Sequence, residues 1–269
     1  MSKLPARSVD SSRGSSGRSE VRIMDEDQLK RRFYPEANIS GLSHVDGTVT
    51  FYNHLAAIVR PDDVVLDFGA GRGEPLVDDT IRYRRDIGNF HGKCRHLDGC
   101  DIDPVVLQNP FLDAAEVIRE GERLPYEDNR FDIIFARSVF EHIADPEFVA
   151  QELLRVVKPQ GIIAATTPNK WGYIAVSARM VPNKFHVKVL SRSQPDRKPE
   201  DVFPTQYKMN TPRDLRRVFG SGADVFVTRK APEPAYHFGR PWLYRFFKWM
   251  NKHSPDAVQP ILDVYVRKR

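Results

Sequence analysis

Cysteine is almost missing from this sequence: Cys94 and Cys100 are the only two among 269 residues. Their spacing matches neither a zinc nor a redox motif, which leaves no basis for a disulfide scaffold or a cysteine-held metal. Long apolar runs are missing too. No stretch approaches the roughly 18 to 20 apolar residues that cross a bilayer, and no apolar h-region opens the chain. The expectation is a soluble protein of a reducing, cytoplasmic compartment, without a metal. No internal repeat is found.

A strong global charge is also lacking. The net charge is +5, and the segment from Arg240 to the end carries seven bases (Arg240, Arg245, Lys248, Lys252, Arg267, Lys268, Arg269) against Asp256 and Asp263. That one segment accounts for the whole excess, so the rest of the chain is close to balanced. Nucleic-acid binding is not demanded, whereas a basic patch near the C-terminus is.

Residues 1–20 are Ser, Gly and Arg with little to bury and read as a disordered tail. Beyond a polar, helical DEDQLKRRF, a helix is expected through Phe51, Leu55, Ile58 and Val59, stopped by Pro61. Strands are then expected at 64–68, 96–101, 130–137 and in GIIAATT from Gly161. Helices are expected through Leu76–Arg85, near Pro104–Leu112 and over 145–157. Thr211-Pro212 has N-cap and N1 chemistry for another helix. ADVFVT and ILDVYVRKR read as closing strands, with the helix RPWLYRFFKWMNK between them. Alternation of strands and helices predicts an α/β fold, a mostly parallel sheet covered on both faces. Residues 169–210 are basic, aromatic and proline-rich, too long for a plain connection, and read as a lid or substrate excursion. A second, helical excursion is expected over 231–256.

One stretch asks for a ligand. VVLDFGAGRGEP at 64–75 is a buried strand, an acid and three glycines at alternate positions. The dinucleotide fingerprint would want a small residue where Glu74 stands, and glutamate there repels a pyrophosphate. No Gly-Lys-Ser/Thr follows, which excludes a Walker loop. Asp67 before the loop opposes a phosphate and favours a cation.

Together with LDGCDID, EGERLPYEDNRFD, SVFEHI and ELLRVVKPQGIIAATTPN, this stretch resembles the class I S-adenosylmethionine-dependent methyltransferases, over roughly residues 45–170 and more weakly over 211–269. The resemblance implies a doubly wound, mostly parallel seven-stranded Rossmann-like sheet with the lid after the fifth strand, forming one domain over 21–269. It implies S-adenosylmethionine as cofactor. The cofactor would meet Asp67, Gly69, Ala70, Gly71 and Gly73, with Asp101 and Ile102 at the ribose. Glu120 and Gly121 would meet the adenine, and Arg137 closes the set. Gln160 replaces one glycine of the family's turn, which should shift that turn slightly.

The branch resembles ubiquinone-pathway and glycan or natural-product cluster methyltransferases. In it the Glu141-His142 pair serves some members in catalysis and others as a helix start. His142 is the expected general base, Glu141 a weaker candidate, and His186 in the excursion the runner-up. The acceptor expected is a small molecule or glycan precursor, with oxygen as the methylated atom. A protein acceptor and a non-catalytic cofactor-binding role stay open. The absence of a D/N-P-P-Y/F step after the fourth strand argues against an amino-base nucleic-acid methyltransferase, and no nucleic-acid partner is expected. Trp242, Phe246, Phe247 and Trp249 beside Arg245, Lys248 and Lys252 have two readings. Core packing with a basic edge is the favoured one. A peripheral membrane or lipid-linked substrate contact through 240–252 is the other.

Overall fold

The structure, a computed structural model, describes residues 23–180 and 204–269. The tail 1–20, His186, Phe185 and the middle of the 169–210 excursion lie outside the described residues.

The chain opens with helices α1 (Glu26–Phe33), α2 (Ala37–Ser40) and α3 (Gly47–Ile58). Strand β1 (Val64–Phe68) leads to α4 (Glu74–Val77) and α5 (Arg82–Gly88), then β2 (His96–Asp101), β3 (Ala114–Val117) and β4 (Phe131–Arg137). Next come α6 (Pro146–Val156), β5 (Val157–Pro168), α7 (Tyr173–Met180), α8 (Pro212–Phe219), β6 (Ala223–Lys230), α9 (Pro241–His253) and β7 (Ile261–Lys268). The seven strands form one sheet in the order β3-β2-β1-β4-β5-β7-β6. Strands β1 to β5 run parallel, and β7 is antiparallel to both of its neighbours.

The sheet is covered on both faces, as the alternation required. Along β4, Phe131, Ile134 and Ala136 enter one core with Leu153 of α6 and Phe219 of α8. Ile133 and Phe135 enter the other with Phe51, Tyr52 and Leu55 of α3. Each fully buried large side chain contributes about 1.5–3 kcal/mol, so these two layers supply most of the drive to fold. The helix starts are chemically marked. Asp145 accepts from the Phe148 amide at 3.1 Å and Thr211 from the Asp214 amide at 3.1 Å, each followed by a proline at N1.

Several expectations are corrected. The helix through Leu76–Arg85 is two short helices, because Asp79 turns its carboxylate onto the Ile81 amide at 2.7 Å and interrupts the ladder. Residues near Pro104–Leu112 form only a short 3-10 turn, Pro104–Gln108. The residues of β3 gave no strand signal of their own. It has four residues, mostly exposed, on the edge of the sheet. Gln160 lies within β5, where the pairing with β4 changes register. It takes the glycine-like backbone itself, at φ 64°.

The largest correction concerns α9. Core packing of its aromatic face was the favoured reading, yet Trp242, Phe246 and Trp249 are 57%, 49% and 59% exposed. The helix instead docks through Tyr244, which stacks on Phe33 of α1 at 4.9 Å, and through Phe247, which stacks on Tyr173 of α7 at 4.7 Å. Asn251, one further turn along, donates to the Pro232 carbonyl at 3.1 Å.

Candidate active site

Because β1 to β5 are parallel, their carboxyl ends gather at one edge. Strand order reverses between β1 and β4, and such a switch opens a crevice beyond the strand ends. The glycine loop leaves β1 into this crevice. Gly69, Gly71 and Gly73 all adopt left-handed backbone, at φ 80°, 48° and 76°. At Gly69 a Cβ would lie 2.3 Å from Val139 Cγ2, so glycine there lets the β4 exit pack against the loop. At Gly71 a Cβ would meet nothing nearer than Asp101 Oδ2 at 3.9 Å, which leaves open space over the bend.

The loop is held from behind. The Gly69 and Ala70 amides donate to the Cys100 carbonyl at 2.8 and 3.1 Å. Asn109, itself buried, donates to the Ala70 and Gly71 carbonyls at 3.3 and 3.2 Å. Asp101 ends β2, and its two oxygens accept from the Gly71 amide and the Asp103 amide, both at 2.9 Å. Each oxygen keeps a lone pair for a further donor, the requirement for a diol. Burial raises the Asp101 carboxyl above its ordinary range despite those two bonds.

Asp67 carries the larger perturbation. Burial, reinforced by the negative charge of Asp101, pushes its carboxyl up to about 8, with Arg137 opposing the shift. Asp67 makes no ion pair among the described residues. Arg137 at the end of β4 is drawn away instead. Its guanidinium lies 3.7 Å from Glu74, and it hydrogen-bonds Tyr52 of α3. Two half-desolvated carboxylates with one distracted cation make a site that gains by admitting positive charge.

On the far side, the Ile118 amide donates to the Asp101 carbonyl at 2.9 Å and brings the β3 exit beside β2. Glu120 and Gly121 follow in an exposed turn, and Ile102 exposes its side chain just past Asp101. After β4, Glu141 is 5% exposed, and its Oε2 accepts from Thr167 Oγ1 at 2.8 Å. Thr167 Oγ1 in turn accepts from Asn210 at 2.7 Å. The Glu141 carbonyl accepts the Gln206 and Tyr207 amides at 2.6 and 3.1 Å. Glu141 thus ties the returning chain to the sheet. Neighbouring His142 places Nδ1 2.8 Å from the Pro204 carbonyl, and its Nε2 lies 3.9 Å from Glu141 Oε1. A carbonyl only accepts, so Nδ1 carries a proton towards Pro204.

Sequence reading therefore placed Asp67, the glycine loop, Asp101, Arg137 and the Glu141-His142 pair around one crevice. It missed Asn109 and Val139, which brace the loop, and Tyr52, which holds Arg137. It also missed the buried pair of Lys230 and Asp263, 2.7 Å apart, on the β6 and β7 ends of the same edge. No local motif announces Tyr52, Asn109, Lys230 or Asp263. The donor set fits S-adenosylmethionine. Asp101 retains acceptor capacity of the kind a diol needs, the two acids Asp67 and Asp101 favour a cationic ligand over an anionic one, and the bend at Gly71 is left open.

Residues 66–165 match a protein family described as a methyltransferase domain. A glycine/sarcosine/dimethylglycine N-methyltransferase of Actinopolyspora halophila is 30% identical over 114 residues, covering 41% of this chain and 19% of that protein. A malonyl-[acyl-carrier protein] O-methyltransferase of Marinomonas sp. is 27% identical over 168 residues, covering 60% and 59%. A ubiquinone biosynthesis O-methyltransferase of Bartonella tribocorum is 33% identical over 121 residues, covering 44% and 47%. The chain spans less than two thirds of the length of each of these relatives. Sheet order, charge-hungry crevice and sequence likeness coincide on the same residues, and the chain is similar, over residues 66–165, to a methyltransferase domain.

Proposed function

We propose that this protein transfers a methyl group from S-adenosylmethionine to an oxygen of a small molecule or glycan precursor, with His142 as general base. The observation that carries this reading is the His142 tautomer. The Pro204 carbonyl fixes a proton on Nδ1, so a base at His142 works through Nε2, which lies 3.9 Å from Glu141 Oε1 just past the end of β4. Two of the relatives above are O-methyltransferases by name, which supports oxygen as the acceptor.

The cofactor supplies a methyl group already activated on a sulfonium centre. Asp67 and Asp101 would hold and orient it, with the glycine loop giving it room. The acceptor hydroxyl must approach in line to about 3–3.5 Å, and its proton passes to His142 Nε2 as the new bond forms. Positioning of this kind accounts for most of the expected acceleration, and the base for about 10²–10⁴-fold.

The test is a screen of metabolite fractions with methyl-labelled S-adenosylmethionine, repeated with His142→Gln. Label should appear in a base-stable ether or an ester of a small molecule. The variant should lose about a hundredfold in kcat while binding S-adenosylhomocysteine normally. Label found only in protein would move the acceptor to a polypeptide. Cofactor binding without any labelled product would leave a binding protein, and an unimpaired His142→Gln would remove the base.

A further inference from the structure

The structure leaves α9 with its polarity reversed relative to an ordinary surface helix. Its half-buried side carries Tyr244, Phe247, Lys248 and Asn251 against α1, α7 and the 232 loop. Lys248 sits over the Tyr34 ring at 3.9 Å and donates to the Phe33 carbonyl. The outer side presents Trp242, Phe246 and Trp249 at i, i+4 and i+7, three large aromatics aligned in solvent. Soluble surfaces seldom expose such a row without a use for it.

Charge says what covers the row. Arg245 and Lys252 are exposed along one flank of the stripe and form no ion pair among the described residues. Arg32 of α1 adds to the same rim, since its guanidinium and that of Arg245 each lie 5.9 Å from the Phe33 ring. No acidic residue occurs between Glu233 and Asp256. A second copy of the chain meeting this face symmetrically would bring basic flanks together, and like charges disfavour that. A sheet of phosphate headgroups over an apolar layer satisfies both halves of the pattern. Tryptophan and phenylalanine settle at that boundary, and arginine and lysine reach the phosphates.

The geometry points to α9 as a peripheral docking helix that lays Trp242, Phe246 and Trp249 onto an anionic phospholipid surface, with Arg245, Lys252 and Arg32 at the rim. The stripe shares no residue with the cofactor crevice, and the proposal holds whether or not the acceptor is an alcohol.

The experiment is co-sedimentation of the full chain with vesicles of phosphatidylcholine, and of phosphatidylcholine with about a quarter phosphatidylglycerol, over a salt series. The tryptophan emission is read in parallel. Wild type should partition onto the anionic vesicles at least about tenfold better, with a blue shift, and the preference should fade as salt rises. Trp242→Ser/Trp249→Ser and Arg245→Glu/Lys252→Glu should each lower partition about tenfold or more, with unchanged circular dichroism. Trp171 remains as an emission control. Wild type that ignores the anionic lipid would overturn the proposal. So would binding that both variants retain, since another basic segment would then be responsible. A concentration-dependent dimer abolished by the tryptophan variant would give the face to a second copy instead.

Discussion

The two ends of the parallel strands handle buried acid in opposite ways. At the amino ends every desolvated carboxylate is matched. Asp98, 2% exposed, receives Arg130 at 2.8 and 3.0 Å and His96 at 2.9 Å. Asp132 receives Lys158 at 2.7 Å, and Glu152 receives Arg155 at 2.6 Å. At the carboxyl ends, Asp67 and Asp101 face one another with Arg137 diverted to Glu74 and Tyr52. Asp263 on the same edge is matched by Lys230 at 2.7 Å, so the imbalance is confined to the crevice, and an unbalanced crevice in an otherwise balanced fold marks the place completed by a ligand.

The strongest way to break this contrast is to unbalance the matched end. Arg130→Met leaves Asp98 buried beside a single histidine and should cost about 3 kcal/mol in chemical denaturation, with cofactor affinity unchanged. Equal loss of cofactor affinity would mean that the two ends are not separable.

Neutralising the unbalanced end should do the reverse. The folded carboxyl of Asp67 titrates near 8 against an ordinary value of 3.8, so the folded chain holds this proton more tightly than the unfolded chain. The resulting penalty is absent below about pH 4, grows as pH rises to about 8, and is constant above. Asp67→Asn should therefore stabilise the ligand-free protein by about 1–2 kcal/mol at pH 8, less than the full shift because water reaches the carboxylate. The gain should vanish towards pH 4, and the same variant should bind S-adenosylmethionine more weakly. Thermal melts across pH check the first part and calorimetry the second.

The smallest effect sharpens the comparison from the matched end, where the exposed Gln160 holds φ at 64° in the irregular first part of β5. Gln160→Gly should relieve this strain and stabilise by about 0.5–1 kcal/mol, offset in part by the entropy of the added glycine. Melting temperature should rise slightly without change in cofactor affinity.

What the sequence disclosed, and what it hid, follows from distance along the chain. Asp67 and the three glycines are legible because strand, acid and loop are consecutive. Asp101 is legible because a strand end fixes its edge. Asn109 acts on that loop, and Tyr52 on Arg137, from separate elements, and nothing in their own neighbourhoods distinguishes them from packing residues. The edge strand β3 was invisible because four half-exposed residues carry no periodic signal. In α9, apolar residues occur all round the helix (Trp242, Leu243, Tyr244, Phe246, Phe247, Trp249, Met250), so periodicity could not choose the docking side. Only the rings of Phe33 and Tyr173 make that choice.

The protonated state of Asp67 has one more consequence, for heat. A cation captured beside that carboxyl expels its proton to the surrounding buffer, so the enthalpy measured for cofactor capture below about pH 8 includes the buffer's own ionisation. Titrations in phosphate and in Tris should then differ in apparent enthalpy while agreeing in affinity, and the slope against buffer ionisation heat counts the protons this one side chain gives up.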